Sequence, residues 1–253
     1  MIARSTYRYP LVQRDDEQVR QRIKDVAHRH RRYGYRRITV ELGKDEPVNH
    51  KRVYRIYREE GLQVRRRRRR KLILVRQPLI AATRRGERWS ADFITDSLVD
   101  GRRYRVLAVL DQFTRECKAL YPATSLPSRV VTQVLDELGG RHGLPQTLVT
   151  DNGPEFVAAR TQAWADRNGV AHHRIQPGRP MQNAFIESFL GKFRDECLNE
   201  NWFRNLKEVI NELETWREHY NRSRPHSALG GQPPSVFAAS LLATQAQTLI
   251  STG

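Results

Sequence analysis

From Trp89 onward the chain alternates in a way that admits few folds. "RWSADFITDSL" and "RYRVLAVLDQF" are apolar and β-branched, with Gly101 between them as a turn, and "ECKALYPAT" follows as a third such run. Three strands at hairpin spacing predict an antiparallel meander. Helical spacing then takes over in "PSRVVTQVLDELGGRHG", a strand returns in "QTLVT", and a helix in "PEFVAARTQAWADRNG". "VAHHRI" reads as a fifth strand. The loop "QPGRP" leads into the helix "MQNAFIESFLGKFRDECL", and a further helix covers roughly 205–220. The order β-β-β-α-β-α-β-α predicts a mixed five-stranded sheet with helices on its faces.

The first third of the chain is different in kind. Residues 1–88 hold 27 Lys+Arg against 10 Asp+Glu, whereas residues 89–253 hold 18 of each, so the whole formal charge of +17 lies ahead of the sheet. Such asymmetry fits a basic module that meets a polyanion, with a charge-balanced body behind it. Residues 15–33 have helical spacing at Val19, Ile23, Val26 and Ala27, and "YGYRRITVELGK" gives a short second helix ending near Gly43. After the tight connection "KDEPV", Asn49 is the N-cap expected for a third helix, "HKRVYRIYREE", closed by Gly61. Val53, Ile56 and Tyr57 form its inward stripe, leaving Lys51, Arg52, Arg55 and Arg58 on the outward face. A short helix, a tight turn and a basic helix describe a helix-turn-helix that would enter a major groove; a plain three-helix bundle is the alternative. Arg65, Arg66, Arg67, Arg68, Arg69 and Arg70 then run consecutively. No core accommodates them, so they mark a linker or an arm on phosphates. The division expected is a helical DNA-binding domain at 1–64, a basic linker at 65–88, a catalytic core at 89–222 and an extension at 223–253.

Neither an apolar run of about eighteen residues nor a signal-peptide core is present. The two cysteines, Cys117 and Cys197, match no metal or redox spacing. A cytoplasmic, nucleoid-associated protein with no membrane partner is the expectation.

Three carboxylates fall where such a sheet would gather them. Asp92 is a charge inside an apolar strand, costly unless paired or metal-bound. Asp151 ends the fourth strand, where Asn152-Gly153-Pro154 turns the chain. Glu187 follows with 35 residues between it and Asp151, in the helix 181–198, outside the apolar stripe Ile186, Phe189, Leu190, Phe193 and Cys197. Asn183 and Arg194 share its helix face. Asp96 and Glu155 are competitors with ordinary explanations, as a strand end and a helix-dipole partner. Asp111 is expected in a turn, His172 and His173 on opposite sides of a strand, and Trp164, Trp202 and Trp216 in packing. Lys192, Arg194 and, more weakly, Arg179 are candidate DNA contacts. "NRSRPHSAL" has no physical account beyond a structural corner.

The element order is that of the RNase H-like fold, and "WSADFITD", "VTDNGPEF" and "NAFIESFLGKFRDECLN" resemble the three acidic motifs of DDE transposases and retroviral integrases. "YGYRRITVEL…VNHKRVYRIYREEGL" and "HYNRSRPHSALGGQPP" narrow the resemblance to the OrfB transposases of insertion-sequence family three, over roughly residues 30–237. The resemblance implies Asp92, Asp151 and Glu187 as a catalytic, metal-binding triad, with Arg194 matching the basic residue seven positions after the glutamate. It implies two Mg²⁺ ions (Mn²⁺ as a substitute), roughly 4 Å apart, in metal-assisted phosphoryl transfer. Water as nucleophile gives cleavage, and a DNA 3′-hydroxyl gives strand transfer. Double-stranded DNA, as insertion ends and as target, is the implied partner, with a homo-oligomer on it and an upstream-frame OrfA product as fusion or partner. With no Cys before Cys117, the His/Cys zinc module of retroviral integrases is not expected. A DNA-binding regulator that no longer turns over is the alternative, and a nuclease of the same fold a third reading.

Overall fold

A computed structural model describes residues 16–64, 82–176 and 183–251, with side chains to 242. The six arginines 65–70 and Arg179 lie outside the described residues. The chain divides into two compact units, Met1–Arg69 and Arg70–Gly253.

In the first unit, α1 (Glu17–Arg29), α2 (Tyr35–Leu42) and α3 (His50–Glu59) surround a core of Ile23, Ile38, Leu42, Val53, Ile56 and Tyr57. The Asn49 side chain accepts the Lys51 N–H at 2.9 Å, satisfying a donor that the first turn of α3 leaves open. Gly61 ends the helix at φ +65°, a conformation that favours glycine.

The second unit is built on β1 (Arg88–Ser97), β2 (Arg103–Asp111), β3 (Cys117–Ala123), β4 (Thr147–Thr150) and β5 (Ala171–Arg174), in the order β3-β2-β1-β4-β5. The β1–β2 and β2–β3 pairs are antiparallel, and the β1–β4 and β4–β5 pairs parallel. Its helices are α4 (Ser128–His142), α5 (Pro154–Val157), α6 (Ala159–Arg167), α7 (Ala184–Glu196), α8 (Leu206–Arg222) and α9 (Pro234–Ser251). Alternation along the strands divides the interior in two. Val106, Ala108 and Leu110 of β2 pack with Ile94, Ile186, Phe189, Phe193, Trp216 and Tyr220 under α7 and α8. Leu107 and Val109 pack with Trp89, Ala91, Leu135, Leu148, Phe156 and Trp164 under α4 and α6. Even-numbered residues of β1, Asp92 among them, therefore face α7.

Two sequence expectations are corrected. The helix expected across 154–169 breaks at Ala158, whose ψ of 140° is extended. Phe156 and Trp164 both belong to the α4/α6 core, and in one unbroken helix they would point roughly 80° apart. The break lets both enter, and the Thr161 hydroxyl donates to the Glu155 carbonyl at 2.7 Å across it. Trp202 is not a packing residue: it is 86% exposed. The connector before α8 is extended at Asn201, so adjacent side chains point to opposite sides; Phe203 takes the inward place beside Tyr104, 6.4 Å between ring centroids. Among the described residues no helix is long and apolar enough to cross a membrane.

Candidate active site

The register of the two central strands brings the first two carboxylates together. Ser90 of β1 pairs with Val149 of the parallel β4, so Asp92 and Asp151, each two residues on, stand at the same level. β4 has ended by then, and an Asx turn takes over: Asp151 Oδ1 accepts the Gly153 N–H at 3.0 Å, and Asn152 donates to the Ile175 carbonyl at 2.7 Å. A Cβ on residue 153 would lie 3.0 Å from Asp151 Oδ1 and 3.3 Å from Glu155 Oε2, so a side chain there would press on both carboxylates. Glu187 comes from the exposed side of the first turn of α7, which the apolar stripe Ile186, Phe189, Leu190 and Phe193 holds against the sheet.

Asp92 carries the clearest electrostatic signature. Burial pushes its carboxyl up to about 6; the Phe93 N–H at 2.7 Å opposes this, Asp151 and Glu187 raise it further, and Arg105 lowers it. Among the described residues no three His, Cys, Asp or Glu side chains close into a coordinating set. The donors nonetheless fit a hard divalent cation: all are carboxylate oxygens, and a largely buried carboxylate beside two others is stabilised as an anion by positive charge.

The other acidic and histidine candidates have the following surroundings. Glu155 is ion-paired to Arg105, whose guanidinium stacks 4.2 Å over the Phe93 ring, on the strand face opposite Asp92. Asp96 shares the face of Asp92 and accepts the Ser97 N–H at 2.8 Å. Asp111 caps its turn, accepting the N–H groups of Gly86, Phe113 and Thr114 at 2.9 Å each. His172, half-buried, meets the Thr150 hydroxyl at 2.9 Å, and burial lowers its imidazole pKa; His173 is exposed.

The candidate DNA contacts separate into groups. Arg194 donates to the Thr95 carbonyl at 2.9 Å, tying α7 to β1, and Lys192 is half-buried on the same helix. On α3, Lys51 and Arg58 are exposed. Arg52 and Arg55 are both paired with Asp16, and Arg55 also with Glu59, so they brace the three-helix unit as well as lying on its basic face. Sequence reasoning missed Arg105, whose one signal is its place directly ahead of the apolar run "VLAVL" in the strand "RYRVLAVLD". Arg224, singled out in "NRSRPHSAL" only as part of a structural corner, is fully buried and paired with Glu196.

A mixed five-stranded sheet in this order, with helices flanking it, is the RNase H-like arrangement of integrase cores. Residues 82–180 and 168–234 match the Integrase core domain family, and residues 13–70 the HTH-like domain family. The "Insertion element IS476 uncharacterized 39.2 kDa protein" of Xanthomonas euvesicatoria is 41% identical over 252 residues, covering 98% of this chain and 73% of its own. The "Insertion element IS407 uncharacterized 31.7 kDa protein" of Burkholderia multivorans is 44% identical over 232 residues, covering 91% and 84%. "Transposase InsD" of Escherichia coli insertion element IS2 is 30% identical over 249 residues, covering 88% and 79%. Among solved structures, a chain of a simian T-cell lymphotropic virus intasome superimposes with a TM-score of 0.57 at 14% identity, over 79% of this chain and 70% of that one. The chain belongs to the integrase-core transposases of bacterial insertion elements, in insertion-sequence family three.

Proposed function

We propose that this chain is a DDE transposase that cleaves DNA at insertion-sequence ends and transfers the freed 3′ end to a target. The observation that carries the reading is geometric: the β1–β4 register sets Asp92 level with Asp151, just past the end of β4, with Glu187 on α7 near enough that both carboxylates raise the Asp92 carboxyl. Asp92, Asp151 and Glu187 would hold two Mg²⁺ ions, or Mn²⁺ in their place, which when bound would supply Lewis-acid assistance to an in-line phosphoryl displacement. β1 and the Asx turn after β4 fix two carboxylates on rigid backbone, while α7 brings the third. Arg194 and Lys192, both on α7, are the candidate contacts to DNA phosphates, with Arg179 as a further candidate earlier in the sequence.

The three-helix unit supplies duplex recognition through Lys51 and Arg58, with Arg52 and Arg55 on the same face, and Arg65 to Arg70 neutralise backbone phosphates. The division into 1–64, 65–88, 89–222 and 223–253 then becomes recognition, tether, chemistry and support. Holding two ends at once calls for a homo-oligomer on DNA, with an OrfA product as fusion or partner, acting in the bacterial cytoplasm on nucleoid DNA.

The test is incubation with labelled insertion-end duplex, a target plasmid and Mg²⁺. Joined products that vanish in Asp92→Asn support the reading. Tight binding with no cleavage under any divalent cation would instead make the chain a DNA-binding regulator, and unspecific degradation a nuclease.

A further inference from the structure

We infer that Arg224 is a positioning residue for Glu187, acting through Glu196 at the far end of α7; this rests on the transposase reading above. Glu196 is the last residue of α7, where the helix carbonyls already concentrate negative charge, so a carboxylate there is unfavourable unless a cation meets it. Arg224 meets it as a fork: Nε donates to Oε2 and Nη2 to Oε1, both at 2.6 Å. The arginine is 1% exposed.

The segment after α8 is shaped to deliver this one side chain. The N–H groups of Ser223 and Arg224 both donate to the His219 carbonyl at 2.9 Å, which turns the chain, and Pro225 and His226 are buried beyond it. His226 Nε2 lies 3.3 Å from Arg224 Nη1, and the His226 ring sits edge-on to Tyr220 at 4.7 Å. Tyr220 in turn lies under the guanidinium at 5.5 Å and edge-on to Phe189 of α7 at 5.0 Å. The corner "NRSRPHSAL" thus encloses the guanidinium against the end of α7.

What the fork adds is direction. The apolar stripe of α7 sets its height above the sheet by close packing, and hydrogen bonds add a directional constraint along the helix axis that apolar contact alone does not supply. Two hydrogen-bonded anchors oppose sliding: the Glu196–Arg224 fork and the bond from Arg194 to the Thr95 carbonyl. Glu187 is nine residues from the fork, about 13.5 Å along a stiff helix. A displacement at one end is therefore carried to the carboxylate at the other. A misplacement of about 1 Å at a reacting centre can cost roughly 100-fold in rate.

The experiment uses the full chain and separates positioning from folding. Breaking one member of a buried ion pair destabilises, whereas replacing both by apolar residues of similar volume is often neutral. Glu196→Met/Arg224→Met is therefore the first variant, and Arg224→Lys, which keeps the charge but loses the fork, the second. Each is characterised by melting temperature, by Mn²⁺ binding to the DNA-free protein, and by KM and kcat for joining of a pre-cleaved end. The expected result is unchanged KM, with kcat and Mn²⁺ affinity each lowered about tenfold or more, from the positional effect above. A folded variant with wild-type kcat and wild-type Mn²⁺ affinity overturns the inference, and Arg224→Lys decides in the same way if the double variant does not fold. A wild-type chain that binds Mn²⁺ but joins no DNA refutes the transposase reading instead, while the Mn²⁺ comparison still decides the role of Arg224.

Discussion

Arg105 and Glu155, fifty residues apart, form an ion pair on the Phe93 side of β1, while Asp92 points to the other side. That pairing separates two acidic residues the sequence leaves in competition. Glu155→Gln is expected to leave Mn²⁺ affinity and DNA joining within about threefold, whereas Glu187→Gln should lower Mn²⁺ affinity and abolish joining, since a carboxylate ligand of the metal pair is lost. Arg105→Met should destabilise by roughly 1–3 kcal/mol, because it strands a largely buried carboxylate, and adding Glu155→Gln should recover most of that. Equal losses of Mn²⁺ binding in Glu155→Gln and Glu187→Gln would show that Glu155 is a ligand.

The raised pKa of Asp92 has a sign that urea melts can read. Its carboxyl titrates near 6 in the folded chain against an ordinary 3.8, so the native state holds the extra proton between those values. In metal-free buffer, stability should fall as pH rises from about 4 to 6, and the penalty should be complete above 6. Asp92→Asn should remove that slope and raise stability at pH 7 by roughly 1–3 kcal/mol while eliminating joining. A difference between the two proteins that is constant from pH 4 to 8 would contradict this.

Gly153→Ala probes the turn after β4. The backbone there, at φ −57° and ψ 144°, suits alanine, so any effect comes from the methyl group meeting Asp151 Oδ1 at 3.0 Å and Glu155 Oε2 at 3.3 Å. A displaced Asp151 should lower kcat about tenfold or more with little change in melting temperature. Wild-type kcat would mean that the turn has slack.

On α3 the basic residues should divide by their partners. Lys51→Ala with Arg58→Ala is expected to reduce the salt slope of duplex binding by about 2, one for each phosphate no longer neutralised. Arg52→Ala should lower the melting temperature of the three-helix unit as well, because its Nε holds Asp16 at 2.6 Å. A slope unaffected by Lys51→Ala and Arg58→Ala would remove α3 from the DNA interface.

Much of this architecture is local, and local patterns are readable. Alternation in "RYRVLAVLD" separates Val106, Ala108 and Leu110 from Leu107 and Val109, which is the division between the two cores. The i, i+3, i+4, i+7 stripe of α7 and the Asn49 cap are of the same kind. What escapes such reading depends on neighbours distant in the chain. Ala158 breaks a helix because Phe156 and Trp164 must enter one core, and Trp202 is expelled because Phe203 has already filled the place beside Tyr104. At the candidate site, the strand positions of Asp92 and Asp151 are visible in one dimension. The ion pairs Arg105–Glu155 and Arg224–Glu196 are not, since neither partner's segment marks the other.

The outward placement of Trp202 also makes the protein its own optical reporter. Trp89 and Trp164 sit in one core and Trp216 in the other, all shielded from water, whereas Trp202 stands in solvent. Collisional quenchers will therefore silence one indole of four while the chain is folded. The residual emission follows the packing on both sides of the sheet, and the quenched fraction reports what approaches the connector ahead of α8.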